Sequence, residues 1–276
     1  MTSNLDLEHA RQVAIEASEK ASNVLRSRIG TDLDITSKGH ADFVTEVDHE
    51  CEEIIQEVLS KFDDSIFFMG EESTEFEIVG NQVKIDVPST CWIVDPLDGT
   101  SNFSHSFGAF GVSIGLRVNN ELKVGVIQAP VTGDLVHAVH GSGAWRQTGN
   151  AKLLTKLETK DGGNHFNIFA TSVPFRQPEF IDDHMKLITK LFTCFEDMRR
   201  IGTASLELMW LASGTWAAFV ERFLKPWDVA AGGLIVKEAG GIITDFSGNE
   251  QNWLTNGEIL GCASARVHEQ IMSLLD

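Results

Sequence analysis

Three stretches, residues 110–118, 123–129 and 135–139, are rich in β-branched residues and are separated by little more than the turn signals Asn119-Asn120 and Thr132-Gly133-Asp134. Spacing this short predicts an antiparallel sheet, because antiparallel neighbours can be joined by tight turns whereas parallel ones need a long crossover. Apolar runs at residues 65–69 and 91–94 precede it, each ending in acidic groups, and Gly141-Ser142-Gly143 before Ala144-Trp145-Arg146 suggests one more turn and strand. Upstream, apolar and small residues fall at helical spacing over residues 5–29, through Leu7, Ala10, Val13, Ala14, Ala17, Ala21, Val24 and Leu25. The pattern returns over residues 45–62 through Val47, Cys51, Ile54, Ile55, Val58 and Leu59, after a polar connection at residues 38–42. Downstream the pattern alternates: strand 167–170, helices 181–193 and 204–213, strand 217–220, helix 229–239 and strand 241–245. The mixture predicts an α/β protein with helices and sheets stacked in layers. The weakly patterned residues 148–164 are the candidate seam, dividing the chain into an N-terminal half, 1–148, and a C-terminal half, 149–276.

Composition narrows the partners. With 22 basic and 40 acidic residues the net charge is -18, so nucleic acid and anionic lipid are unlikely direct partners. The four cysteines, Cys51, Cys91, Cys194 and Cys262, are scattered without zinc spacing, which predicts free thiols in a reducing compartment. No run reaches the length of a membrane span, and residues 1–11 carry no apolar secretory core; the expectation is a cytoplasmic, soluble protein. No histidine sits in a nucleophile motif, and most are expected at the surface.

Three segments place carboxylates beside apolar elements: Gly70-Glu71-Glu72, Asp95-Pro96-Leu97-Asp98-Gly99-Thr100, and Pro226-Trp227-Asp228. Taken alone, Glu71 reads as a solvated loop residue and Asp228 as a helix cap. The Asp95 segment is harder to explain that way. Pro96 stiffens it into an expected rigid turn, two like charges repel on that turn, and a hard cation such as Mg²⁺ would relieve them. The N–H groups of Gly99 and Thr100, near a possible helix start, would suit a phosphate oxygen. A structural turn with incidental charge stays open on this local reading.

Asp95-Pro96-Leu97-Asp98-Gly99-Thr100-Ser101-Asn102-Phe103 resembles the first signature of the inositol monophosphatase family. Trp227-Asp228-Val229-Ala230-Ala231-Gly232-Gly233, continuing to Glu238-Ala239-Gly240-Gly241, resembles the second, and Gly70-Glu71-Glu72-Ser73 is similar to the family's acidic loop. The resemblance runs from Lys38 to about Gly261 and implies an αβαβα sandwich. It also implies roles. Glu71, Asp95 and the Leu97 carbonyl would hold a first Mg²⁺; Asp95, Asp98 and Asp228 a second; Glu71 would help with a third. Thr100 and Asp48, from Asp42-x-x-Thr45-x-x-Asp48, would orient and deprotonate the attacking water. Gly99 and Thr100 N–H groups would grip phosphate, Ala204, Glu221 and Asp228 would face the substrate, and Lys38 would sit on a mobile loop. Homodimers and lithium sensitivity are further family expectations, with Trp210 and Trp216 as conceivable interface or core residues.

The resemblance favours hydrolysis of a phosphate monoester, with myo-inositol 1-phosphate leading and fructose 1,6-bisphosphate or histidinol phosphate as alternatives. Ser101-Asn102-Phe103 argues against the nucleotide branch, whose first signature continues with lysine and glutamate. Some bacterial members are implicated in transcription, so a regulatory protein- or RNA-binding role on the same fold stands as the alternative of another class. The loop 104–110 lacks a frequent proline, and residues 145–149 carry one extra residue, which bears on loop shape and substrate fit.

Overall fold

The computed structural model describes residues 5–31, 35–39, 42–80, 82–149, 154–160 and 167–275, with the backbone alone at residues 35, 37–39, 42–44 and 82. Asp6 opens α1 (Leu7–Arg28) by accepting the His9 N–H at 3.0 Å. The buried stripe of α1 is built from small residues, Ala10, Ala14, Ala17, Ser18, Ala21 and Ser22, closed by Leu25. A hairpin of β1 (Ile35–Gly39) and β2 (Asp42–Thr45) leads into α2 (Glu46–Ser60), which packs beside α1.

Beyond α2 come β3 (Phe67–Gly70), a small hairpin of β4 (Glu77–Val79) and β5 (Gln82–Lys84), and β6 (Cys91–Asp98), which runs into the short helix α3 (Thr100–Ser104). The strands β7 (Gly111–Val118), β8 (Glu121–Ala129), β9 (Asp134–Val139), β10 (Ala144–Gln147) and β11 (Leu154–Lys156) follow. Among the described residues the first sheet has the order β11-β10-β9-β8-β7-β6-β3, antiparallel except for the parallel β3–β6 pair. Its last strand lies past residue 148.

The second sheet is built from β12 (Ile168–Thr171), β13 (Asp197–Arg199), β14 (Ala218–Arg222), β15 (Ile242–Thr244) and β16 (Glu258–Cys262), in the order β13-β12-β14-β16-β15. Between these strands run α4 (Ile181–Leu191), α5 (Ala204–Ala212) and α6 (Pro226–Glu238), and α7 (Ala265–Leu275) ends the chain. β12 lies parallel to both β13 and β14, so three strands point their carboxyl ends the same way.

The apolar clusters define the layers. One core joins α1 and α2 to one face of the first sheet. A second, holding α5 and α6, lies between the two sheets, and a third joins α4 and α7 to the far face of the second. The result is the expected αβαβα sandwich, with α5 and α6 as the shared middle layer. They are apolar nearly all round, as a helix buried from both sides must be. Their close packing depends on glycine: a Cβ on Gly125 of the first sheet would stand 2.7 Å from the Ala231 carbonyl oxygen, and one on Gly233 would stand 2.4 Å from the ring of Trp253, in the loop before β16.

One expectation changes. Residues 95–98 are not a turn but the end of β6, where Pro96 and Leu97 oppose the single residue Val112 between the pairs Asp95↔Ser113 and Asp98↔Gly111. Proline is tolerated there because a bulge interrupts the ladder that would have needed its missing N–H. Most of the described histidines lie at or near the surface as expected, and His137 and His184, 4% and 1% exposed, are the buried exceptions. His184 Nε2 lies 3.1 Å from Thr171 Oγ1, so it serves the second sheet's packing. Of the two tryptophans, Trp216 is buried, with its ring edge-on to Trp210 and its Nε1–H donated to the Glu207 carbonyl at 2.7 Å. Among the described residues no helix is long and apolar enough to cross a membrane.

Gly125→Ala should lower stability by roughly 1–3 kcal/mol, the usual cost of overpacking, read as a shift in urea midpoint. Burial pushes the pKa values of His137 and His184 down to about 4. Both are therefore neutral in the folded chain and take up protons on unfolding below the ordinary histidine pKa of about 6.5. Stability present above that pH should fall as pH drops from 6.5 toward 4, by up to about 1.4 kcal/mol per pH unit for each histidine. Urea melts at pH 7 and 5 measure this, and His184→Gln should show a smaller fall.

Candidate active site

The β6 bulge fixes the first group of carboxylates. Asp95 turns back on its own strand and accepts the Leu97 N–H at 3.0 Å. Its carboxyl is 1% exposed and lies within hydrogen-bond reach of Glu71, which β3 places alongside through the parallel pairing and the Glu71 N–H bond to the Val94 carbonyl at 3.1 Å. Two carboxylates tolerate such closeness only by sharing a proton or a cation. Burial, then Glu71, Asp98 and Asp228 in that order, hold the Asp95 pKa well above the ordinary range.

At the end of β6 the chain must reverse into α3, and Gly99 does this at φ 96°, in the left-handed region. A Cβ there would also press on the Ala109 carbonyl at 3.3 Å. The first residue of α3, Thr100, directs its Oγ1–H to Asp48 Oδ1 at 3.0 Å, with the Leu97 carbonyl 3.2 Å away. Asp48 is held by a capping box at the start of α2. Its Oδ2 accepts the Thr45 N–H at 2.8 Å and the Thr45 hydroxyl at 2.6 Å, which leaves Oδ1 for Thr100. One side chain thus starts a helix and fixes a hydroxyl in the pocket.

The middle helices bring the remaining groups. Asp228 stands in the first turn of α6, which begins at Pro226 rather than at Val229, and it accepts the Lys225 N–H at 2.7 Å. The capping reading of Asp228 therefore holds in the structure. From α5 and the residue before it, Thr203 Oγ1, Ser205 N and Ser205 Oγ all donate to Asp98 Oδ2, at 2.7, 2.7 and 2.6 Å. These three bonds lower the Asp98 pKa, but burial and then Asp228 outweigh them and raise it to about 6.

Glu71, Asp95, Leu97, Asp98, Gly99, Thr100, Ala204, Glu221 and Asp228 all line one pocket of about 330 Å³. Asp48 joins them through Thr100. Glu221, at the carboxyl end of β14, has a pKa held well above normal by burial, then by Glu207, Asp228 and Asp98. Lys38 lies on β1, and its side chain is outside the described residues. Among the described residues no three carboxyl, imidazole or thiol groups are already drawn into a metal cage. Asp98 commits one oxygen to α5, and Asp95 one to its own strand.

Several neighbours escaped the sequence reading. Thr203 and Ser205, which hold Asp98, carry a readable signal: two hydroxyls spaced by one residue at the start of an apolar helix. Arg176, Arg200, Phe175 and Lys225 line the same pocket from loops and had no local signal.

Residues 6–276 match the sequence profile of the inositol monophosphatase family. Nus factor SuhB of Escherichia coli K12 is 35% identical over 251 residues, 90% of this chain and 90% of that protein. The crystal structure of the extragenic suppressor protein suhB from Bartonella henselae superposes with a TM-score of 0.84 at 31% identity, covering 96% of this chain and 97% of that one. The Thermotoga maritima IMPase superposes with a TM-score of 0.80 at 28% identity, covering 96% and 95%.

Removing one donor to Asp98 should raise its pKa further, because each bond favours the charged form. Thr203→Val is expected to move the Asp98 titration above its value of about 6 in metal-free protein, read by carboxyl ¹³C NMR.

Proposed function

Since the chain belongs to the inositol monophosphatase family, we propose that it is a Mg²⁺-dependent phosphatase of small polyol and sugar phosphate monoesters, with myo-inositol 1-phosphate as the leading substrate. One observation carries this reading: Glu71, Asp95, Asp98 and Asp228 line one pocket beside a Thr100 hydroxyl already bonded to Asp48. The donor set is entirely hard oxygen, from carboxylates and the Leu97 carbonyl, which suits Mg²⁺ and not a soft metal. The raised pKa of Asp95, caused by burial and three like charges, marks a place where added positive charge is stabilising.

In this reading Glu71, Asp95 and the Leu97 carbonyl would hold one Mg²⁺, Asp95, Asp98 and Asp228 a second, and Glu71 would help with a third. Bound Mg²⁺ supplies neutralisation of the phosphoryl oxygens and a lowered pKa for its water. Thr100 orients the attacking water through Oγ1, and its own proton is held by Asp48 Oδ1, which accepts the proton the water gives up. The N–H groups of Gly99 and Thr100 bind a phosphate oxygen as α3 opens. Glu221 and Ala204 bound the space for the hydroxyl-bearing part of the substrate. No covalent intermediate is needed, since water is the nucleophile. Fructose 1,6-bisphosphate and histidinol phosphate are the alternative substrates.

Relatives named as Nus factors favour a second reading, in which the same fold also acts through a macromolecular partner. A cytoplasmic homodimer, with the partly exposed Trp210 near the contact, belongs to the proposal as well.

Asp95→Asn should reduce Mg²⁺-dependent hydrolysis of inositol 1-phosphate by at least ~10³-fold through loss of metal-assisted catalysis, and full activity would end the metal reading. Thr100→Val should cost about 10²–10⁴-fold in kcat while leaving substrate binding nearly intact, as expected when general-base assistance is lost. Millimolar Li⁺ should inhibit the wild type in the same assay. If Asp95→Asn still restores the cellular role of a deletion strain, the partner-based reading gains.

A further inference from the structure

The buried stripe of α2 runs through Val47, Cys51, Ile55, Val58 and Leu59, and two carboxylates one turn apart, Asp48 and Glu52, share that face. Val47, Cys51 and Ile55 pack in the same core as Trp92, Val94 and Leu97 of β6, the strand that carries Asp95. Both carboxylates are withheld from water, at 1% and 6% exposed. Asp48 is accounted for, since it caps the helix and fixes Thr100. Glu52 is not. It lies inside the helix, where it caps nothing; among the described residues it pairs with no cation, and the partner it does have is backbone. Burying a carboxylate on those terms costs free energy, so its place calls for another reason.

That reason is the acidic loop. Glu52 Oε2 accepts the Glu72 N–H at 2.9 Å. The same carboxylate fills the space beside Gly70, where a Cβ would stand 2.2 Å from Oε2, 2.4 Å from Cδ and 2.8 Å from Oε1. Glu52 therefore meets the loop on both sides of Glu71, whose own N–H is tied to the Val94 carbonyl of β6 at 3.1 Å. Residues 70–72 are gripped from α2 and β6 together, and from that grip the Glu71 carboxyl reaches Asp95.

We propose that Glu52 is a positioning residue: its buried carboxylate clamps the backbone on either side of Glu71 and so sets where Glu71 stands for Mg²⁺. One face of α2 then serves both sides of the pocket, holding the Thr100 hydroxyl through Asp48 and the acidic loop through Glu52. Groups that never touch a metal but orient its ligands contribute strongly to its affinity. The proposal rests on the Mg²⁺-dependent phosphatase reading above, since it presumes that Glu71 is a ligand.

The test is calorimetric titration of Mg²⁺ into the metal-free full chain, with kcat and substrate KM followed over the same Mg²⁺ range. Glu52→Ala is expected to weaken Mg²⁺ binding by about 10–100-fold, as loss of a ligand-orienting contact does. At saturating Mg²⁺ its kcat and KM should return to within about twofold of wild type, whereas damage to the fold would lower kcat at every Mg²⁺ concentration. Glu52→Gln keeps an acceptor for the Glu72 N–H without the charge and should bind Mg²⁺ nearly as the wild type does. Glu53→Ala, on the exposed side of the same helix, removes the same charge and should leave the affinity unchanged. A methyl at residue 70 meets the end of a flexible side chain, so Gly70→Ala should displace Glu52 and reproduce the loss, and adding it to Glu52→Ala should cost nothing more. Unchanged affinity in Glu52→Ala, an equal loss in Glu52→Gln or Glu53→Ala, or additive losses in the double variant would overturn the proposal. Hydrogen exchange at the Glu71 amide, measured without metal, separates the two readings: in Glu52→Ala it should be at least ~10-fold faster, because local opening of its bond to Val94 sets the rate. A chain that binds no Mg²⁺ yet shows this faster exchange would sink the phosphatase and keep the clamp; an active Mg²⁺ enzyme whose Glu71 amide exchanges at the same rate in both proteins would do the reverse.

Discussion

The mutual repulsion of carboxylates gathered in one pocket, two of them buried, organises this molecule. Asp95, Asp98 and Glu71 come from the first sheet and its edge and Asp228 from the middle layer; Asp95 and Asp98 are buried where their charge is disfavoured, and Glu71 and Asp228 stand half-buried beside them. What holds them is local and specific. A bulge turns Asp95 onto its own backbone, α5 and the residue before it deliver three donors to Asp98, and the opening turn of α6 ties Asp228 to the Lys225 N–H. A charged group kept from water without a partner would cost several kcal/mol, so these bonds are what permit the cluster to exist in a folded chain. The fold's middle layer is where the arrangement is maintained, because α5 and α6 touch both sheets.

The same layer explains the small residues of α6. Gly232 and Gly233 sit where Leu208 and Trp253 crowd the helix, and Gly125 admits Ala231 from the sheet side. A larger side chain at any of these points would push α6 outward and carry Asp228 with it. The tight packing and the position of one carboxylate are therefore one requirement.

Much of this was legible in the sequence, and the reasons differ by element. The β-branched runs announced the hairpin strands, and the alanine spacing of α1 announced its buried stripe. The paired signatures located Asp95, Asp98, Thr100 and Asp228, and the structure brings them to one pocket. The bulge was misread as a turn because proline and glycine carry the same signal in both, and only the pairing with β7 distinguishes them. β16 and α7 went unread; β16 is a short strand buried between two neighbours and lacks alternation. The buried histidines look polar in sequence, and their environment is set by residues far away, as with Thr171 against His184. Arg176 and Arg200 carried no signal for a related reason: the segments after β12 and β13 meet at the pocket through the parallel pairing of those strands.

Asp98 Oδ2 has a consequence beyond the pocket. It belongs to the first sheet, yet its three donors come from the segment between β13 and β14 of the second. One oxygen atom thus ties the two halves of the sandwich together at the mouth of the pocket, alongside the packing of α5 and α6 against both sheets. Moving α5 relative to the end of β6 strains all three bonds together. The sandwich is accordingly geared at its reactive end: a ligand that tightens or loosens the grip on Asp98 acts at the same moment on how the halves are stacked.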